Sequence, residues 1–200
     1  SMKKGLISKF PNFAISIFLV LVVVTIAAFV FFDSPKTAEA TWWNDLWKYR
    51  KQLTIDKSQV EGSLKDFPVL VSITDSDLVA NAQGDGDDIA FADANGKKYA
   101  HEIEKYASST GELVAWVKLP ELNGDRDTDI YIYYGNSSAA DQSSVAVVWD
   151  EDYKGVWHLA EQGDGTADEY KDSTQYANHG QAGSGTAAEA PTSTPAKIGN

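Results

Sequence analysis

The 200-residue chain has no cysteine, which removes disulfide staples, thiolate nucleophiles and thiolate-bound metals together. Histidine is almost as scarce. His101, His158 and His179 are the only three, and none carries a nucleophile or metal-helix signature around it. Basic residues are few, with lysine plus arginine at 17 against 29 acidic residues and a net charge of −12. The first forty residues hold four lysines with Asp33 and Glu39, a net +2 that leaves −14 on the remainder. A polyanion of this size repels phosphate backbones and anionic headgroups, which excludes nucleic acid as a partner class. No glycine-rich phosphate cradle is present either.

Long apolar runs are absent after Phe32, but one stands before it. Residues 13–32 read FAISIFLVLVVVTIAAFVFF without a charge, behind Lys3, Lys4 and Lys9 and ahead of Ala38-Glu39-Ala40. A basic start, an apolar stretch and a small-x-small site make the pattern of a secretory signal. About 20 residues also suffice to span a bilayer. Residues 1–40 are therefore expected to be a cleaved signal peptide or an uncleaved N-terminal membrane anchor. In both cases the lysines stay inside and residues 41 onward lie outside the cell. The expected location is extracellular or at the cell surface.

The remainder reads as all-β. Short runs rich in β-branched and aromatic residues alternate with turn signals. Strands are expected near Lys51–Ile55, Val69–Thr74, Asp88–Ala92, His101–Tyr106, Glu112–Leu119 and Thr128–Tyr134, with one short helix at Ser76–Ala82. Asn95-Gly96 predicts a hairpin turn with positive φ at both central residues. Leu113, Ala115, Val117 and Leu119 share one strand face, and Ile130, Ile132 and Tyr134 share another. Such period-2 alternation predicts a jelly-roll-like β-sandwich over residues 41–136. Ser137–Ser144 is small and polar, a linker by composition. Beyond it Val156, Trp157 and Leu159 suggest one strand, and the chain from Glu161 is mostly small and polar, so a second, incomplete β-sandwich is expected over 145–200.

Six ordered motifs carry a resemblance. They are Trp47-Lys48-Tyr49-Arg50-Lys51, Asp66-Phe67-Pro68-Val69-Leu70-Val71, Gly86-Asp87-Asp88-Ile89-Ala90-Phe91, His101-Glu102-Ile103-Glu104, Val114-Ala115-Trp116-Val117-Lys118-Leu119-Pro120 and Ile132-Tyr133-Tyr134-Gly135-Asn136. Over roughly residues 45–140 the chain resembles the domain-of-unknown-function 2341 family, which implies an exported, multidomain surface protein. Val156-Trp157-His158-Leu159, Asp172-Ser173-Thr174, Asn178-His179-Gly180 and Ala196-Lys197-Ile198-Gly199-Asn200 resemble the start of a laminin-G-like, concanavalin A-like lectin domain. That second resemblance implies a carbohydrate-binding neighbour.

Three groups of residues are candidates for chemistry. Glu102 and Glu104 flank Ile103 on one strand, so both point to one face about 6.6 Å apart along the backbone. That spacing suits the acid and nucleophile of a glycoside hydrolase, although it equally describes a solvated strand face. Asp85, Asp87 and Asp88 make an oxygen-rich rim, and calcium is the cofactor such a rim would take. Aspartate and glycine are also ordinary turn residues. Trp42, Trp43, Tyr131 and Tyr133 offer flat amphipathic rings for ligand contact, against a default of sheet packing.

Three functions compete. The first is an exported non-catalytic module for adhesion, binding glycans or a cell-surface partner. The second is a glycoside-active enzyme using Glu102 and Glu104. The third is a structural subunit of a surface assembly, whose pilin-type processing pattern of a glycine followed by an acidic residue is absent from Leu6–Phe32. The sequence favours the first, with membrane contact through residues 13–32 if they are retained.

Overall fold

The computed structural model describes residues 41–191; the signal or anchor expected at 1–40 and the motif at 196–200 lie outside the described residues. Among the described residues no helix is long and apolar enough to cross a membrane. The described residues form six strands: β1 Tyr49–Ile55, β2 Leu64–Thr74, β3 Ala90–Ala92, β4 His101–Ala107, β5 Glu112–Leu122 and β6 Thr128–Tyr134. Two short helices accompany them, α1 Ser76–Asn81 and α2 Val145–Val148. The strands pair antiparallel as two three-stranded sheets, in the orders β1-β6-β3 and β2-β5-β4. The fold is all-β, as the alternation predicts.

Alternation decides which side chains meet between the sheets. Leu113, Ala115, Val117 and Leu119 from β5 join Ile130, Ile132 and Tyr134 from β6 and Phe91 from β3 in one buried cluster. Leu78 of α1 closes it at 1 % exposure. The helix is held by its start: Asp75 Oδ1 accepts from the backbone N–H of Asp77 at 2.9 Å. Lys51 Nζ then bridges Asp75 and Asp77 at 2.5 and 2.7 Å. Those carboxylates raise the Lys51 pKa well above its usual value. Gly111 is fixed by the same corner. It sits at φ +72°, and a Cβ there would strike the Asp75 carbonyl oxygen.

β4 departs from strict alternation. His101 pairs with Val117, Glu102 with Trp116 and Ile103 with Ala115, but Lys105 then pairs with Val114. Glu104 is the extra residue of a β-bulge, which re-aims a side chain and bends the strand. Tyr106 thereby returns to the core, where it packs against the main cluster. Without the bulge Lys105 would point there instead.

Three local expectations change. At the 93–97 turn only Gly96 has positive φ, while Asn95 does not. Asp93 Oδ1 accepts from the N–H groups of Asn95 and Lys97, both at 2.8 Å, so a side chain shapes this turn. Val156–Leu159 is no strand. It contributes one isolated bridge, Trp157 to Asp172, and Leu159 sits at φ +55°. The Ser137–Ser144 stretch lies against the sandwich: Gln142 N–H donates to the Asp87 carbonyl and Ser144 N–H to that of His101.

Each outer sheet face is covered in part. Trp47 packs with Ala90, Ala92 and Tyr133 on the β1-β6-β3 sheet, with Trp43 and Tyr131 at the edge. On the opposite sheet Trp116 of β5 meets Trp149, with ring centroids 5.2 Å apart. The second cover brings residues 145 onward down onto β4.

Candidate functional site

Glu102 and Glu104 do share a face, and the chain beyond residue 145 closes over it. Glu102 is 7 % exposed and fully engaged. Its Oε2 accepts from the Trp149 indole N–H at 2.7 Å, and its Oε1 from the Ser173 hydroxyl at 2.5 Å. His158 stands between the carboxylates, with Nε2 3.2 Å from Glu102 Oε1 and Nδ1 3.1 Å from Glu104 Oε2. The Nε2 contact is off-line for a hydrogen bond, so it acts as a charge contact. Glu104 Oε2 also accepts from the Trp116 indole N–H at 2.8 Å. The imidazole lies near both indoles, 6.4 Å from Trp116 and 6.3 Å from Trp149 between centroids.

The electrostatics follow from this enclosure. Burial is the largest influence on Glu102 and disfavours its charge, but the His158 contact and the donors Ser173 and Trp149 outweigh it and hold the pKa low. Glu102 raises the His158 pKa against opposing burial, with further help from the charges of Glu104 and Glu161. The arrangement is an imidazole held between two carboxylates, which favour its protonated form. Sequence reasoning found the pair of glutamates but missed His158, Ser173, Trp116 and Trp149 as their partners. Val156-Trp157-His158-Leu159 and Asp172-Ser173-Thr174 were visible motifs; nothing local in them says what they face.

Asp172 organises the covering segment. It is 5 % exposed and accepts from the N–H groups of Val156, Thr174 and Asn178 and from the Thr174 hydroxyl. Burial opposes its ionisation, yet these donors bring its pKa down to about 2. Its own N–H donates to His179 Nδ1 at 3.0 Å. This hub presents Ser173 to Glu102. Both Glu102 oxygens and Glu104 Oε2 are thus occupied by donors from the same chain.

The acidic rim does not converge. Asp88 is fully buried; its Oδ1 accepts from Gln83 N–H at 2.9 Å and its Oδ2 from Gly135 and Asn136 N–H at 2.7 and 3.0 Å. It shapes the bend after β6. Asp85 and Asp87 instead line a cleft of about 220 Å³ with Asp141 and Glu102. Burial and the neighbouring charges of Asp85, Asp141 and Asp88 push the Asp87 pKa up. Among the described residues no group of three or more histidine, aspartate or glutamate side chains is placed to hold a metal ion.

The aromatic candidates are gathered, but as packing. Tyr133 is fully buried, so it is unavailable to a ligand. Its hydroxyl donates to the Thr41 carbonyl, and the Trp42 ring meets it edge-on at 5.5 Å. Arg50 lies 4.7 Å from the Trp42 ring and 5.2 Å from that of Tyr131, a stack of cation on π faces. Trp43 sits 4.4 Å from Trp47 and beneath Lys98. These rings cover a sheet.

Comparison with known proteins adds one finding. The model of the domain of unknown function 2341 family (DUF2341) matches residues 85–172. No curated protein and no solved structure matches the chain. The matched stretch starts at Asp85, later than the likeness beginning near residue 45, and runs past the polar segment to Asp172. It therefore contains Glu102, Glu104, Trp116, Trp149 and His158 together.

Proposed function

We propose that this chain is an exported, non-catalytic module of the cell surface, which binds glycans or a surface partner while holding the segment after residue 145 in fixed register on its sandwich. One observation carries the non-catalytic reading: Glu102 already accepts from Trp149 and Ser173 and contacts His158. A glycoside hydrolase needs one carboxyl free to protonate a leaving group and one facing a sugar carbon or a water. Glu102 borders the cleft of Asp85 and Asp87, but both its oxygens are already taken by donors of its own chain. The polar cluster acts as a joint, in which charge and indole geometry fix how the covering segment seats.

Export rests on residues 13–32, and the lectin-like reading of residues 145–200 rests on their motifs alone. Calcium at Asp85 and Asp87 remains part of the proposal, with the cleft they share with Asp141 as its setting. Fold does not fix function, so the binding claim stands on experiment. The test is a glycan and matrix-protein array probed with the whole chain, with and without chelator, beside hydrolysis assays on a polysaccharide panel. Binding without hydrolysis supports the module. Hydrolysis abolished by Glu102→Gln or Glu104→Gln would establish the enzyme in its place.

A further inference from the structure

The covering segment and the start of β2 line a second open cleft. Its volume is about 290 Å³, near the lower end of the range of small-ligand sites, about 300–1,000 Å³. Lys65, Asp66, Phe67 and Pro68 line one side, and Asp150, Asp152 and Tyr153 the other. We propose that this cleft binds a neutral saccharide, stacked on Phe67 and Tyr153 and hydrogen-bonded at its rim by Asp66, Asp152 and Lys65. The inference deepens the module reading by giving it a site, and it rests on that reading.

Four observations converge. Phe67 is 38 % exposed although it lies within a paired strand, so its ring is not spent on the core. The Tyr153 ring is fixed by an edge contact on Trp149 at 5.1 Å, which presents one face in a defined place. Trp149 is itself held by Glu102, so the joint positions one wall of the cleft. Asp66 adopts φ +49° inside β2, an unfavourable conformation for a non-glycine residue, between the paired residues Lys65 and Phe67.

The lining chemistry selects the ligand. Flat apolar rings suit the C–H faces of a pyranose, and carboxylates accept from its hydroxyls. Three aspartates against one lysine, on a chain of net charge −12, exclude uronic or sulfated sugars. Lys65 donates to a sugar oxygen.

The experiment titrates the whole chain with neutral tetrasaccharides of glucose, mannose and xylose, a uronate tetrasaccharide and tetralysine, in wild type, Phe67→Ser and Asp152→Asn. Both substitutions fall on the cleft lining and leave the joint intact; near-ultraviolet circular dichroism checks the fold. The proposal expects saturable binding of a neutral tetrasaccharide, no uronate binding, and a loss of about tenfold or more in each variant, as for a central anchor. Binding of a neutral sugar that both variants keep overturns the cleft while leaving the module reading intact. Tetralysine binding in place of sugar overturns the ligand class. If no sugar binds here and the array is also blank, the cleft and the module reading fall together.

Discussion

Replacing Glu102 tests the joint most directly. Glu102→Ala would leave the Trp149 indole N–H and the Ser173 hydroxyl without an acceptor and His158 with one carboxylate in place of two. Each buried donor left unpaired costs about 1–3 kcal/mol, and breaking a buried ion pair from one side costs about 3–5 kcal/mol in all. Screening does not erase this, because the Glu102 and His158 side chains are only 9 % and 17 % exposed. Denaturant unfolding followed by tryptophan fluorescence should register about 3–5 kcal/mol for Ala and about 2 kcal/mol for the isosteric Gln, which keeps one acceptor oxygen. Proteolysis should open residues 145–191 before the sandwich. A double-mutant cycle of Glu102→Gln with His158→Gln should give a coupling above about 1 kcal/mol. The pH dependence has two limbs. His158, raised when folded, contributes stability that is complete below its unfolded value of 6.5 and is lost as pH rises through its folded value. Glu102, lowered when folded, contributes stability present above 4.5 and lost as pH falls through its folded value. The joint is strongest between those limits. A Glu102→Ala protein within about 0.5 kcal/mol of wild type, the scatter of ordinary surface changes, would refute the reasoning.

Further consequences are open to measurement. His101 is fully buried, and burial followed by the Lys98 charge brings its pKa down to about 4 from 6.5. A depressed base destabilises the fold as pH falls below its unfolded value, so in a His158→Gln background about 2 kcal/mol should be lost between pH 7 and 5. His101→Leu should flatten that slope in urea midpoints. Asp88→Ala strands three backbone N–H groups at a buried corner and should cost about 3 kcal/mol or more by thermal unfolding. Gly111→Ala forces a Cβ onto the Asp75 carbonyl at positive φ and should lower the melting temperature more than Gly62→Ala, where nothing lies within 4 Å.

How much of this was written locally is clear from β4. Its span, its pairing face and the approach of Glu102 and Glu104 follow from period-2 alternation. The bulge does not, because it is the response of one strand to two neighbours: Tyr106 must fill the core and Lys105 must leave it. The same limit hid His158, which lies 56 residues beyond Glu102 on a segment with almost no regular structure. A long-range polar contact leaves no periodic trace. Asp88 misled for a related reason, since an aspartate that accepts three backbone N–H groups looks in sequence like any turn aspartate. Tyr131 and Tyr133 alternated as expected, but the face they share is covered by Trp43 and Trp47, and no strand pattern reveals that cover.

The bulge at Glu104 has a consequence for how such a protein can change over time. Deleting that one codon would leave Ile103 facing in, Lys105 facing out and Tyr106 facing in, which is an ordinary strand with the core register intact. The residue that completes the His158 clamp is thus the one the sheet needs least. A lineage can gain or discard that half of the clamp in a single step, tuning how firmly the following segment is seated while the sandwich beneath it stays the same.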